Sequence, residues 1–245
     1  MPRHIVFHDP RLASETGGGE TLTLRTIDAL DSTRFHITIV TRSPVSSPLL
    51  REFLTAHPHV HLEAIEAPYG HDSDHNLAQF LDSHGGRALW GQDALVDDGI
   101  RFNSVAKSFY QTSQQDLVSF TFLTDAFGLE LHNKAAFHIY GCLPPDMADA
   151  EAPLLRQMSS ISAVSGFIRD AFCSVMDGRI RSESITILSP GLPPAFTVSP
   201  KAARKRDIDL VYAGRLVPRK GVDLVLEALE GLRNTSGLRP SLTVA

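Results

Sequence analysis

Two short stretches carry residue types that can hold an anion. In "SETGGGET", residues 14–21, the consecutive glycines Gly17, Gly18 and Gly19 stand between a hydrophobic run and a helical pattern. Glycine lets a backbone approach a ligand closely, and a helix N-terminus offers unpaired N–H groups and partial positive charge, so a phosphate suits the spot. The stretch is neither G-x-G-x-x-G nor a loop ending in GK[ST], and an ordinary βα turn with Glu20 and Thr21 in the first helical turn reads from the same residues. In "VYAGRLVPRKG", residues 211–221, a hydrophobic strand ends at Ala213, Gly214 permits a tight exit, and Arg215 and Lys220 bracket a loop before a helix that starts near Gly221. Two cations and a helix N-terminus converge there on the carboxyl end of a strand, where open α/β sheets bind ligands. A diphosphate leaving group is the natural guest; solvated charge at a turn is the alternative.

Strands and helices must position these loops, and the chain alternates between the two. "HIVFHD" (4–9), "FHITIVTR" (35–42), "HVHLEAIEA" (59–67), "DLVSFTFL" (116–123), "KAAFHIY" (134–140), "SISAVS" (160–165) and "SITILSPG" (184–191) read as strands. Strict alternation in 59–67 marks a strand at the sheet edge. "ETLTLRTIDAL" (20–30) sets Leu22, Ile27 and Leu30 on roughly one helical face, and "GFIRDAFCSVM" (166–176) is expected to set Phe167, Ile168, Phe172 and Met176 near one side. Residues 69–114 mix polar residues, Gly pairs and weak helical patterns, without clear boundaries. Strands alternating with helices predict an α/β fold, a Rossmann-like parallel sheet flanked by helices. The Pro- and charge-rich stretch after Gly191, including "KAARKR" (201–206), reads as a linker. The organisation is thus a first domain over 1–193, a linker over 194–206 and the start of a second domain over 207–245.

Composition narrows the function classes. With 42% hydrophobic and 21% charged residues, the chain of 245 residues can bury a core, and a formal net charge of −5 argues against a general nucleic-acid binder. Two cysteines, Cys142 and Cys173, form neither a disulfide framework nor a CxxC pair, as expected of reduced thiols in a cytoplasmic protein. The N-terminus has too short an apolar run before His8 and Asp9 for a signal peptide, and no stretch reaches the ~18 apolar residues of a membrane span, which leaves peripheral membrane contact open. His59 and His61 in "HPHVH", and "HDSDH" at 71–75, offer metal-ligand types without identifiable partner ligands, so a metal is not expected.

"VYAGRLVPRKGVDLVLEAL" resembles the GR-x(4)-KG signature that opens the C-terminal domain of family 4 glycosyltransferases of the GT-B fold. The "GGGET" loop, "ISAVSGFIRDAF" and "ITILSPGLPPAF" are similar to that family in matching order, so the resemblance covers most of the chain. It implies a retaining, metal-independent transferase that moves a hexose from a nucleotide-diphosphate sugar to an unidentified acceptor held by the first domain, with no other cofactor. It implies that Arg215 and Lys220 contact the diphosphate and that Gly17, Gly18 and Gly19, with Gly214, line the donor site. Ser119, Phe120 and Thr121 stand where the family often has a His near the transferred sugar; His138, at the end of the next strand, is the candidate replacement, with a structural histidine as the alternative. Pro190 and Pro193 stand in place of the family's Asn and Asp. The family's Glu-x7-Glu motif would follow Ala245, so the resemblance implies an incomplete second Rossmann-like domain and little activity for this chain alone. A non-catalytic acceptor-binding subunit completed by another polypeptide, and a GT-B-fold sugar-nucleotide epimerase, are the alternative functions; homo- or hetero-oligomers are compatible with either.

Overall fold

The computed structural model describes residues 2–14, 17–67, 94–126, 128–131, 134–141, 148–191, 210–214 and 220–244. The chain divides into two units, Met1–Pro190 and Gly191–Ala245. Within the first, strands β1 (Arg3–His8), β2 (Phe35–Arg42), β3 (Val60–Ile65), β4 (Leu117–Phe120), β5 (Ala135–Ile139), β6 (Met158–Ala163) and β7 (Ile185–Ile187) form one sheet. Their order is β3-β2-β1-β4-β5-β6-β7, and all neighbours pair in parallel. This is the Rossmann-like α/β sheet that the alternation predicts, with β3 at its edge.

Parallel strands need crossovers, and helices supply them: α1 (Gly18–Asp28), α2 (Pro48–Ala56), α3 (Ala94–Thr112), α4 (Ala148–Leu155) and α5 (Gly166–Met176). Alternation along β1 sorts its side chains to two cores. Ile5 and Phe7 join Ile37, Ile39, Leu24, Ile27 and Leu50 under α1 and α2. Val6 joins Val40, Val118 and Phe120 under Phe102 and Ala106 of α3 on the opposite face. That second core continues along β5, β6 and β7, where Phe172 and Met176 of α5 pack with Phe137, Ile161 and Ile185. The chain therefore winds outward from β1 in one direction and from β4 in the other, with helices on opposite faces, and the winding reverses between β1 and β4.

Local chemistry sets the helix ends. Ser47 caps α2, its Oγ accepting the Leu50 N–H at 3.3 Å, with Pro48 fitted to the first helical position. Ser165 caps α5 by accepting the Ile168 N–H at 3.2 Å. Replacing Ser165 by alanine should lower unfolding free energy by about 1 kcal/mol in urea titrations, whereas Ser165→Asp should keep most of it.

Several expectations need correction. The first helix ends at Asp28 and buries Leu24 and Ile27, with Leu22 only half-buried and Leu30 beyond its end, and the strand expected over 184–191 spans only Ile185–Ile187. Phe167 does not share the buried side of α5: it is 75% exposed, while Phe172 and Met176 are buried. At 100° per residue Phe167 lies about 140° from Phe172 around the helix, so no single apolar stripe includes both. The fourth strand ends at Phe120 rather than Leu123, because residues Leu123–Ala126 turn into a 3-10 helix. Helices α2, α3 and α4 add elements that the weak patterns of their segments did not mark.

The second unit contains β8 (Leu210–Tyr212) and β9 (Leu242–Val244), which pair in parallel through helix α6 (Val222–Ser236). Gly221 caps α6 with φ of 68°, a left-handed conformation that favours glycine. No helix among the described residues is long and apolar enough to cross a membrane.

Candidate functional site

The reversal of winding between β1 and β4 leaves a crevice at the carboxyl ends of the two strands, the usual ligand position in an open parallel sheet. Three segments meet there: the exit from β1 with its 3-10 turn Pro10–Ala13, the glycines that start α1, and the residues after β4. The connections between them are long-range. Thr23 of α1 and Thr121 after β4 share a hydrogen bond of 2.9 Å between their hydroxyls. Thr41 Oγ1, at the end of β2, donates to the Asp9 carbonyl at 2.7 Å.

A charged cluster underlies this rim. Arg11 donates through Nη2 to Asp125 Oδ2 at 2.6 Å, and its guanidinium carbon sits 3.4 Å from the centre of the Phe122 ring. Asp9 is buried; its carboxylate caps the 3-10 turn by accepting the Arg11 N–H at 3.2 Å, and Oδ2 has no partner among the described residues. Loss of solvation first, then the neighbouring Asp125 and Glu20 carboxylates, push the Asp9 pKa up to about 7 against the pull of Arg11. His8, preceding it, is buried among Phe102, Tyr110 and Phe120 and shares a 2.7 Å hydrogen bond between Nδ1 and the Tyr110 hydroxyl. Burial brings its pKa down to about 3, so it is neutral at pH 7.

Glu20 changes the electrostatics of the glycine loop. It is buried in the first turn of α1 and folds back over the helix start, so that a Cβ at Gly17 would lie 2.4 Å from Glu20 Oε2. The partial positive charge of the helix end therefore already faces a carboxylate. Gly19 is the close-approach position, where an added Cβ would touch the Thr121 methyl at 3.5 Å and the Phe122 ring at 3.9 Å. Gly18 faces open space.

Beside the loop, a cavity of about 240 Å³ runs from this rim along the sheet, between α1 and the face of β4, β5 and β6. Thr23, Thr26, Thr121, Tyr140 and Ser162 bring hydroxyls to its wall, over a floor that includes Phe7, Leu117 and Leu188. His138 also lines it. Its Nδ1 shares a hydrogen bond with Ser162 Oγ, its ring stands edge-on to Tyr140 at 4.4 Å, and burial lowers its pKa. Burial likewise pushes the Tyr140 phenol up to about 12, with the Thr23 and Thr26 hydroxyls beside it. Ser119 and Thr121, in the place of the family's histidine, belong to the same wall.

The second unit holds the other expected residues. Gly214 follows β8, and Lys220 is exposed just before the cap of α6. Tyr212 ties the two ends of this loop together, its hydroxyl donating to the Lys220 carbonyl at 3.3 Å. A Cβ at Gly214 would lie 3.5 Å from the same hydroxyl. Arg215 lies outside the described residues, as do Cys142, residues 71–75 and the expected linker 194–206. Cys173 is a half-buried free thiol. His61 pairs with Glu63 at 3.6 Å, and the rings of His57 and His59 meet at 5.8 Å.

The structure thus joins Gly17, Gly18, Gly19 and His138 around one end of the first sheet, and carries Gly214 and Lys220 on the second unit. Sequence reading missed Asp9, Arg11, Glu20, Asp125 and Tyr140. The signal for the first two was "HDPR": ionisable residues directly after a buried strand mark a rim position. Nothing local marks Asp125, which meets Arg11 across 114 positions.

No family model and no curated protein matches the chain. Among solved structures, it is similar to LpCGTa in complex with UDP, at 12% identity and a TM-score of 0.54, over 96% of this chain and 65% of that one. A second structure, the glycotransferase of kitacinnamycin, aligns at 11% identity and a TM-score of 0.45, over 100% of this chain and 71% of that one. The first similarity is one of fold, and the chain spans 65% of the length of that UDP-bound protein.

Proposed function

We propose that this chain belongs to a glycosyltransferase that moves a hexose from a nucleotide-diphosphate sugar to an acceptor with retention, of the kind found in family 4. What supports the reading most is a coincidence of motif order and strand order. The motifs "GGGET", "ISAVSGFIRDAF", "ITILSPG" and "AGRLVPRKG" follow one another as in that family, and the glycine loop falls at the carboxyl rim where the sheet reverses its winding. The likeness in fold to a UDP-bound protein is consistent with a nucleotide-sugar donor.

In this reading the second unit supplies the donor chemistry. Negative charge grows on the diphosphate as its bond to the sugar breaks, and the cations Arg215 and Lys220 stabilise that developing charge more than the ground state. Gly214 gives the phosphates room beside the strand end. In the first unit, Gly19 and Gly18 let a sugar approach the backbone, while the carboxylate of Glu20 at the start of α1 repels phosphate and favours a neutral hydroxylated group there. His138, neutral and held by Ser162, accepts a hydrogen bond from an acceptor hydroxyl or donates one to it, according to its tautomer.

Incubating the full-length protein with a panel of UDP-, GDP- and ADP-hexoses, and following both nucleotide release and product by NMR, tests the reading. An α-linked product from an α-linked donor is the expected outcome. A β-linked product would remove retention, and conversion of the donor to another sugar nucleotide without transfer would replace the reaction by epimerisation.

A further inference from the structure

The acceptor's chemistry can be read from what the cavity beside α1 lacks. Among the described residues that line it none carries a formal charge: there is no Asp, Glu, Lys or Arg. Its polar groups include hydroxyls on three sides, from Thr23 and Thr26 of α1, Ser119 and Thr121 at the end of β4, and Ser160 and Ser162 of β6. Its remaining surface is aliphatic and aromatic. His138 and Tyr140 are both uncharged near neutrality, since burial lowers the one pKa and raises the other. The opposite nitrogen of His138 has no hydrogen-bond partner among the described residues.

The sheet itself is unusual at this place. Parallel strands covered on both faces read as continuous apolar runs. Here β6 is "MSSISA", with Ile161 and Ala163 buried toward α5 and Ser160 and Ser162 turned to the cavity side, where Ser160 is exposed and Ser162 half-buried. No buried apolar cluster forms on that face beyond β4 among the described residues. Small hydroxylated residues there cost core packing and leave space, as a ligand wall does.

We propose that this cavity seats the acceptor, and that the acceptor is an uncharged, hydroxyl-bearing molecule with a compact apolar body, to the exclusion of phosphorylated ones. The inference rests on the glycosyl transfer proposed above for the word acceptor, and on the cavity alone for the chemistry. A phosphate moved into this space leaves water for a wall with no cation among its described residues, whereas a neutral hydroxyl exchanges water for Thr, Ser, Tyr and His partners. The volume, about 240 Å³, accommodates a body of two fused rings or a single sugar ring. Thr121, on the cavity wall, lies against Gly19, so a guest hydroxyl near Thr121 is close to the glycine loop.

The probes are 2-naphthol and 2-naphthyl phosphate, which share one body and differ by the charge, titrated into the protein without donor. Calorimetry or naphthol fluorescence should give saturable binding of the neutral probe and at least about tenfold weaker binding of the ester. Ser162→Leu and Ser160→Leu, each placing a side chain into the cavity from a half-buried or exposed position, should weaken naphthol by at least about tenfold with unchanged circular dichroism. Equal or tighter binding of the ester overturns the proposal, as does the absence of naphthol binding or its indifference to both leucines. A thermal-shift titration with UDP and GDP is run in parallel. Naphthol binding that behaves as expected, in a full-length protein that binds and turns over no nucleotide sugar, upholds the cavity's chemistry and removes the transferase reading.

Discussion

Replacing Asp9 by asparagine is expected to stabilise the protein more and more as pH rises from about 4 to about 7. In the folded chain Asp9 keeps its proton to about pH 7, whereas the unfolded chain releases it near 3.8. Between those values the folded state binds more protons, so this group's contribution to stability falls as pH rises, by up to about 1.4 kcal/mol per pH unit. Asparagine removes that slope and keeps the local structure, because it caps a turn as well as aspartate and can accept the same Arg11 N–H. The cause is specific to the site: desolvation, then repulsion from Asp125 and Glu20, outweigh the attraction of Arg11. Its neighbour acts in the opposite sense. With a pKa lowered from 6.5 to about 3, His8 binds its proton only in the unfolded chain, so its contribution rises with pH over that window. In the wild type the two slopes largely offset one another between about pH 4 and 6.5, and the asparagine variant exposes the histidine slope. Glu151, its pKa raised to about 7 by burial, adds the same term to both proteins and cancels in the difference. Urea unfolding of the two proteins across this range is the measurement, and parallel stability curves would mean that Asp9 is ionised in the folded state.

In the full-length protein, Lys220→Ala is expected to lower kcat for sugar transfer by roughly 10²- to 10³-fold, the scale of removing one partner of a developing anion. On the proposed reaction the ammonium meets charge that grows as the sugar leaves the diphosphate, so the loss falls mainly on kcat and less on the donor KM. Lys220 stands exposed before the Gly221 cap, with its carbonyl held by Tyr212, so truncating the side chain leaves the loop's own contact in place. The arginine variant keeps the charge with a different hydrogen-bonding head and should recover part of the rate. A kcat/KM unaltered by the alanine would take Lys220 out of the chemistry, and an equal rise in KM with kcat intact would reduce it to ground-state binding of the donor.

The elements that sequence reading located best are those whose signal is local. "FHITIVTR" coincides with β2 because every residue from Ile37 on is buried, and a run of β-branched residues carries that information by itself. The start of α5 was legible from Ser165 followed by an apolar face, since a cap and a helical period need only neighbouring residues. Phe167 went astray because apolar identity was taken as membership of the buried stripe, against the angle it subtends on the helix. Helix α3 escaped notice because "ALVDDGIRFNSVAKSFYQT" mixes charge through its length, and only the burial of Phe102 and Ala106 under the sheet orders it.

Local patterns along the chain suffice to establish its class: an α/β chain of parallel strands, a glycine-started first helix and a basic loop before a glycine-capped one. Those features follow from backbone preferences and periodicities within about ten residues of chain. The tertiary structure alone decided which strands meet, and with them the rim. It brought Arg11 to Asp125, His8 to Tyr110, Thr23 to Thr121 and His138 to Ser162 across 114, 102, 98 and 24 positions. Such contacts depend on the packing of whole elements, whose free energy comes from buried area that no local pattern encodes. The carboxylate under the glycine loop and the uncharged cavity beside it are products of that packing.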